Sequence, residues 1–201
     1  MTTPLTPVSL RWQGAADGSL EILDQTLLPG RLEWLPCQSV DAVIEAIRML
    51  RVRGAPAIGI AGAYGMVVAA GEAMRAGHPA DEARAHVLAQ AERLATARPT
   101  AVNLRWAVER CVRVIDQLPD DTPASGLATA LLAEAQAIHA EDRDLCEAIG
   151  RHGLAVLPEG DILTHCNTGA LATGGAGTAL GVIAAAWEAG RRFTVYADET
   201  R

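Results

Sequence analysis

Large apolar residues recur in pairs two positions apart near the start of the chain: Leu10 with Trp12, Leu20 with Ile22, Leu32 with Trp34. Residues two apart on an extended segment share a face. Asp17-Gly18 and Pro29-Gly30 supply reversals between the pairs. The pattern predicts a small three-stranded antiparallel meander. The period then lengthens. Val40, Val43, Ile44, Ile47 and Leu50 fall on one helical stripe behind Ser39, a good N-cap, and the helix is expected to end near Arg53-Gly54. Pro56 suits the first turn of a second helix that stops at Gly77-His78-Pro79. A third fits Asp81 to Ala95. Arg98-Pro99-Thr100 breaks the pattern, because a residue before proline is pushed out of the helical region. Thr100 then caps a fourth helix that buries Leu104, Val108, Cys111, Ile115 and Leu118. Thr122-Pro123 opens a long fifth, with Leu127, Leu131, Ala135, Ile138, Leu145 and Ile149 in register and Gly150 as its stop. Cys111 and Cys146 read as packing, and His139 as an ordinary surface or boundary residue.

At Gly153 the texture changes. Leu154 to Leu157 is a short apolar run, Ile162 to His165 a strand, Thr178 to Glu188 a helix and Phe193 to Ala197 a second strand. The predicted fold class is therefore α/β. Residues 1–150 form a domain of a small antiparallel sheet plus helices, and residues 151–201 the first βαβ part of a Rossmann-like parallel-sheet domain. Two parallel strands and one helix cannot cover both faces of a parallel sheet. The expectation is a partner or, preferably, a chain that continues past Arg201.

Composition narrows the function classes. Half of the residues are hydrophobic, enough for a real core, and the formal charge is −7 with dispersed basic residues. Nucleic-acid and anionic-membrane partners are not expected. The uncharged stretch from Gly54 to Gly71 approaches a spanning length, yet its glycine and alanine content reads as a tightly buried core helix. Met1 to Leu10 has neither a basic nor an apolar segment of the signal-peptide kind. Cys37, Cys111, Cys146 and Cys166 lie far apart, against both a zinc site and a disulfide framework; reduced thiols in a cytoplasm are the natural reading.

The candidate chemistry sits in loops. Cys166 follows a strand and precedes Asn167, Thr168 and Gly169, which are polar or backbone-permissive. Ligands of open α/β sheets bind at such strand ends, and thiols near helix N-termini are favoured as thiolates; simple burial is the other reading of a lone cysteine. Arg53-Gly54-Ala55-Pro56 has the mechanics of an anion site, with a planar guanidinium, close backbone approach and a helix start. The alternative is a C-cap glycine beside a solvated last-turn cation. Arg98 also sits on a helix-breaking loop, so two arginines could clamp one dianion. His165 points to the opposite strand face from Cys166, which disfavours it as the thiol's base. Gly175, Gly177 and Gly181 followed by Asp198 mimic a dinucleotide fingerprint, but Cys166 to Gly174 intervene between strand and glycines.

Three blocks in order, Arg53 to Gly65, Arg98 to Trp106 and Thr164 to Ala172, resemble the signature blocks of methylthioribose-1-phosphate isomerases, and Tyr196 to Arg201 resembles the start of a further one. The resemblance implies a homodimeric aldose–ketose isomerase of methionine salvage, acting on a sugar phosphate without metal or other cofactor. It implies that Arg53, Gly54, Ala55 and Arg98 hold the phosphate end of the substrate and that Cys166 is the catalytic thiol. The family's catalytic aspartate and a substrate-holding glutamine fall downstream of the last block, so the chain reads as the N-terminal portion of such an enzyme. Related isomerases of ribose 1,5-bisphosphate, and noncatalytic regulatory subunits of the exchange factor in translation initiation, are the alternatives. The thiol and both arginine loops favour an enzyme.

Overall fold

The structure, a computed structural model, describes residues 8–198. Strands β1 (Leu10–Gln13), β2 (Ser19–Leu23) and β3 (Trp34–Cys37) form an antiparallel sheet in that order. Leu10 faces Ile22 and Trp12 faces Leu20; Leu20 in turn faces Cys37. The register buries Leu10, Leu20, Ile22 and Cys37 on one side. Leu32 is not part of β3: it is exposed in the irregular segment before the strand.

Helix α1 (Val40–Arg48) is capped as expected, Ser39 Oγ accepting from Ala42 N at 3.2 Å. It ends earlier than its apolar stripe. Leu50 takes a left-handed φ of 60° and is exposed, and Val52 is buried in its place. The cause is tertiary: Arg51 reaches Asp24 Oδ2 at 2.5 Å and Glu45 Oε2 at 2.9 Å, drawing the chain out of the helix.

Helix α2 (Ala55–Ala76) is the centre of the molecule, and every residue from Ala57 to Gly71 is buried. It packs against α1, α3 (Ala80–Ala95), α4 (Val102–Gln117) and α5 (Ala124–Val156), and also touches the meander. It is long and apolar enough to cross a membrane, but 89% of its most apolar window is buried here against the other helices. The expected core helix is thus found. Gly77, left-handed at φ 70°, ends it. Helix α4 begins at Val102 after Ala101, without the expected side-chain cap from Thr100.

Helix α5 does not stop at Gly150 but runs to Val156, absorbing the apolar run. Gly150 and Gly153 are close-approach positions. A Cβ on Gly150 would stand 3.2 Å from Gly181 O, and one on Gly153 2.4 Å from Val182 Cγ2. Both neighbours belong to α6 (Ala179–Glu188). Leu145, assigned to the buried stripe, is exposed, and Cys146 takes the buried position. Strands β4 (Ile162–Thr164) and β5 (Val195–Ala197) pair in parallel, Ile162 opposite Val195 and Thr164 opposite Ala197. The chain is therefore α/β: a three-stranded antiparallel sheet, helices and a two-stranded parallel sheet. Of the last block, Glu199 to Arg201 lie outside the described residues, as do Met1 to Pro7.

Candidate active site

Burial separates the four thiols. Cys37, Cys111 and Cys146 are buried, whereas Cys166 is exposed. Burial pushes the Cys37 thiol up to about 11 and the Cys111 thiol up to about 12, which keeps both protonated and inert. Cys166 also has a left-handed backbone, φ 67°. For a non-glycine residue that conformation costs about 1–2 kcal/mol, and such strain concentrates at functional positions. Cys166 stands just beyond the carboxyl end of β4 and opens on a cavity of about 740 Å³. Thr164, Thr168 and Asp198 share that cavity, and Arg151 and Leu154 of α5 line its far wall.

Neither Arg53, Gly54, Ala55 nor Arg98 lines that cavity. The Arg53–Gly54 loop is joined to the thiol loop through backbone packing instead. Gly54 is the N-cap of α2, not a C-cap of α1, and has φ 90°. A Cβ there would lie 2.5 Å from the Cα, Cβ and O of Ala172, six residues after Cys166. Only glycine satisfies both the conformation and the contact. Arg98 lies on the α3–α4 turn, its carbonyl accepting from Ala101 N at 3.0 Å. The start of α4 meets α2 where a Cβ on Gly59 would stand 2.9 Å from Asn103 O. The arginine loops thus flank the adjoining N-termini of α2 and α4.

The two arginines also differ from their neighbours in what they hold. Among the described residues, neither the Arg53 nor the Arg98 side chain makes a hydrogen bond or ion pair, while the Arg51 side chain is committed to Glu45 and Asp24. Burial works to raise the Asp24 carboxyl, but its bonds to Thr26 and Arg51 outweigh it and hold the group below its usual range. The helix N-termini differ likewise. Helix α2 has no side-chain cap and no acidic residue in its first turn. At α6, Thr168 Oγ1 accepts from Leu180 N at 3.2 Å. Helix α4, which follows Arg98, likewise has no side-chain cap and no acidic residue in its first turn, so the starts of α2 and α4 are better suited to an anion than that of α6.

Other expectations meet different partners. His165 bonds to Asp198 across the strand ends rather than to Cys166. Gly175 rests on α5, where its Cβ would be 3.0 Å from Arg143 Cα. It fills a packing role, and Asp198 is taken by His165. His139, read as ordinary, is partly buried between Tyr64 Oη (3.2 Å) and the carbonyl of Gly174 (3.2 Å). Sequence reasoning also missed the side chains that grip the stretch following Cys166. Gln25 Nε2 donates to Leu171 O at 2.7 Å, Ser9 Oγ to Thr173 O at 2.9 Å, and Asp142 Oδ2 accepts from Gly174 N at 2.6 Å. None carries a local signal, because each partner is distant in the chain.

A meander on a helical bundle, coupled by backbone packing to a parallel βαβ unit whose strand loop bears one exposed thiol, defines the class: an α/β protein in which the Arg53–Gly54 loop packs against the loop that follows Cys166. The chain belongs to the Initiation factor 2 subunit family, whose model matches residues 51–201. It is 53% identical over 184 residues to a methylthioribose-1-phosphate isomerase of Gemmatimonas aurantiaca, covering 91% of this chain and 52% of that protein. It is 52% identical over 194 residues to the protein of that name from Pelotomaculum thermopropionicum, covering 96% and 52%. The chain thus spans about half the length of the curated relatives it matches. Two solved structures superpose on 98% of it with TM-scores of 0.81. One is the translation initiation factor eIF-2B subunit delta from A. fulgidus, 39% identical with 55% of that chain covered. The other is 5-methylthioribose 1-phosphate isomerase from Pyrococcus horikoshii, 30% identical with 62% covered.

Proposed function

We propose that the protein converts 5-methylthioribose 1-phosphate to 5-methylthioribulose 1-phosphate, with the phosphate end held by Arg53, Gly54, Ala55 and Arg98 and with Cys166 at the reacting carbons. The observation that carries the reading is the exposed, left-handed Cys166, whose loop is packed through Ala172 onto the glycine of an anion loop. The names of the relatives, about half identical over most of this chain, support the substrate. Phosphate on the anomeric carbon blocks ring opening of the ordinary hemiacetal kind. The reaction therefore needs an acid at the ring oxygen and movement of hydrogen from C2 to C1. Cys166 serves that second step, as the base for the C2 proton or as the group that steadies charge during a hydride shift. Loss of C2 deuterium to solvent marks the first route, and its retention in product marks the second.

The test is Cys166→Ala in the complete protein. Substrate binding is expected to persist while kcat falls about 10²–10⁴-fold. Near-normal turnover in that variant sinks the assignment. The likeness to the eIF-2B delta chain supports a second reading, a noncatalytic subunit that senses a sugar phosphate. Assaying methylthioribose 1-phosphate beside ribose 1,5-bisphosphate separates the readings: the isomerase turns over the first, and a sensor binds without turning over either. The same proposal takes β4 and β5 as members of a larger Rossmann-like sheet in a homodimer. Its support is the exposure of Leu163 and Tyr196 on that sheet together with the greater length of the relatives.

A further inference from the structure

His139 and Asp142 stand one turn apart on α5 and close on the two polar groups of a single residue. Asp142 Oδ2 accepts from Gly174 N at 2.6 Å, and His139 Nε2 donates to Gly174 O at 3.2 Å. Residues at this spacing share a helix face, so one face of α5 holds both the N–H and the C=O of Gly174. Gly174 has no room for a side chain. Its Cβ would lie 2.6 Å from His139 Cδ2 and 2.7 Å from Ile60 Cδ1 of α2. On its far side His139 Nδ1 accepts from Tyr64 Oη at 3.2 Å, with the two rings edge to face. Tyr64 belongs to the buried core of α2 and stacks on Trp12 of the meander. A hydroxyl donor at Nδ1 fixes the proton on Nε2, where the Gly174 carbonyl needs it. Burial holds His139 below its ordinary range, which keeps the ring neutral and that arrangement intact.

The position of Gly174 gives the grip its meaning. It comes two residues after Ala172, which abuts Gly54, and closes the stretch that Cys166 opens. A core-anchored tyrosine, a histidine and an aspartate thus set the register of this segment.

We propose that His139 and Asp142 are positioning residues that hold the thiol loop in register with the anion loop, so that Cys166 meets a substrate whose phosphate sits at Arg53 and Gly54. The inference rests on the proposed isomerase reading. Neither side chain lines the cavity on which Cys166 opens, so neither is assigned contact with the reacting atoms.

The experiment compares His139→Gln, His139→Asn, Asp142→Asn and Asp142→Ala in the complete protein. Glutamine places an amide N–H where Nε2 stands; asparagine places one where Nδ1 stands. His139→Asn and Asp142→Ala are expected to lower kcat about tenfold, the equivalent of one lost hydrogen bond, with KM changed by less than about threefold. His139→Gln and Asp142→Asn are expected to stay within about threefold of wild type. A general structural role predicts losses that follow the melting temperature instead of the position of the amide. Equal kcat for the Gln and Asn variants, or losses proportional to the unfolded fraction, overturns the proposal. A second readout is independent of the isomerase reading. Cys37, Cys111 and Cys146 are buried and Cys166 is exposed, so iodoacetamide modification of the Cys166 peptide, followed by mass spectrometry, reports on this loop. Its rate is expected to change at least about threefold in His139→Asn and Asp142→Ala but not in His139→Gln. Unchanged rates overturn the clamp even if the wild type isomerises the substrate. Changed rates in a protein that leaves the sugar phosphate untouched retain the clamp and reject the isomerase.

Discussion

Single residues in this protein answer to two constraints at once, and Gly54 is the plainest case. Its φ of 90° excludes most side chains, and the Ala172 backbone fills the space a Cβ needs. Gly54→Ala is expected to cost about 3 kcal/mol or more and to raise KM for the proposed sugar-phosphate substrate, read by denaturant unfolding and steady-state kinetics. An unchanged melting curve would show that the contact is not as tight as described. His139 sets a pH dependence. Its folded value lies below the ordinary 6.5, so just under that pH the unfolded chain binds a proton that the folded chain refuses. Stability is fully present above pH 6.5 and falls as pH drops toward the folded value. The slope is at most about 1.4 kcal/mol per pH unit. Asp24, held below 3.8, acts in a lower window: its contribution persists above that value and is lost as pH falls through the depressed one. Unfolding of His139→Gln should show a flatter slope immediately below pH 6.5 than wild type, and identical slopes would remove His139 as the cause. Cys166 and Gly54 were legible in the chain because a thiol after a strand and Arg-Gly-Ala-Pro before a helix are local patterns. His139 was not, because its carbonyl partner is 35 residues away in sequence.

Elements were readable wherever the chain's own periodicity decides them. The antiparallel meander, apart from Leu32, the Ser39 cap and the alanine- and glycine-rich α2 fall where the pattern puts them. Boundaries failed where a neighbouring element overrides a local signal. Gly150 looks like a helix stop until α6 lies against it, and Leu50 looks like part of a stripe until Arg51 is drawn to Asp24. The α5–α6 contact yields a test in which two effects oppose. Replacing Gly153 by alanine gains about 1 kcal/mol of helix propensity. It also drives a methyl to 2.4 Å from Val182 Cγ2, an overpacking cost of about 1–3 kcal/mol. The clash is expected to win, so Gly153→Ala lowers the melting temperature. Adding Val182→Ala should recover part of the loss as a favourable coupling in a double-mutant cycle. Strict additivity would place the two side chains out of contact.

At the scale of the whole molecule, the arrangement of layers was legible, but the way the two loops meet was not. Arg53 and Arg98 belong to the N-terminal ends of neighbouring helices, while Cys166 opens on a separate cavity; Ala172 against Gly54 is the joint between them. No periodicity encodes a backbone-to-backbone contact of that kind. The burial of α2 bears on how the chain is made. Its principal packing surfaces come from α4 and α5, which follow it in the sequence. As the chain emerges from the ribosome, this long apolar helix appears before the partners that cover it. During that interval a holdase chaperone has its best target between Ala57 and Gly71. Slowing translation beyond residue 76 should lengthen chaperone occupancy, leaving the finished protein's equilibrium stability unchanged.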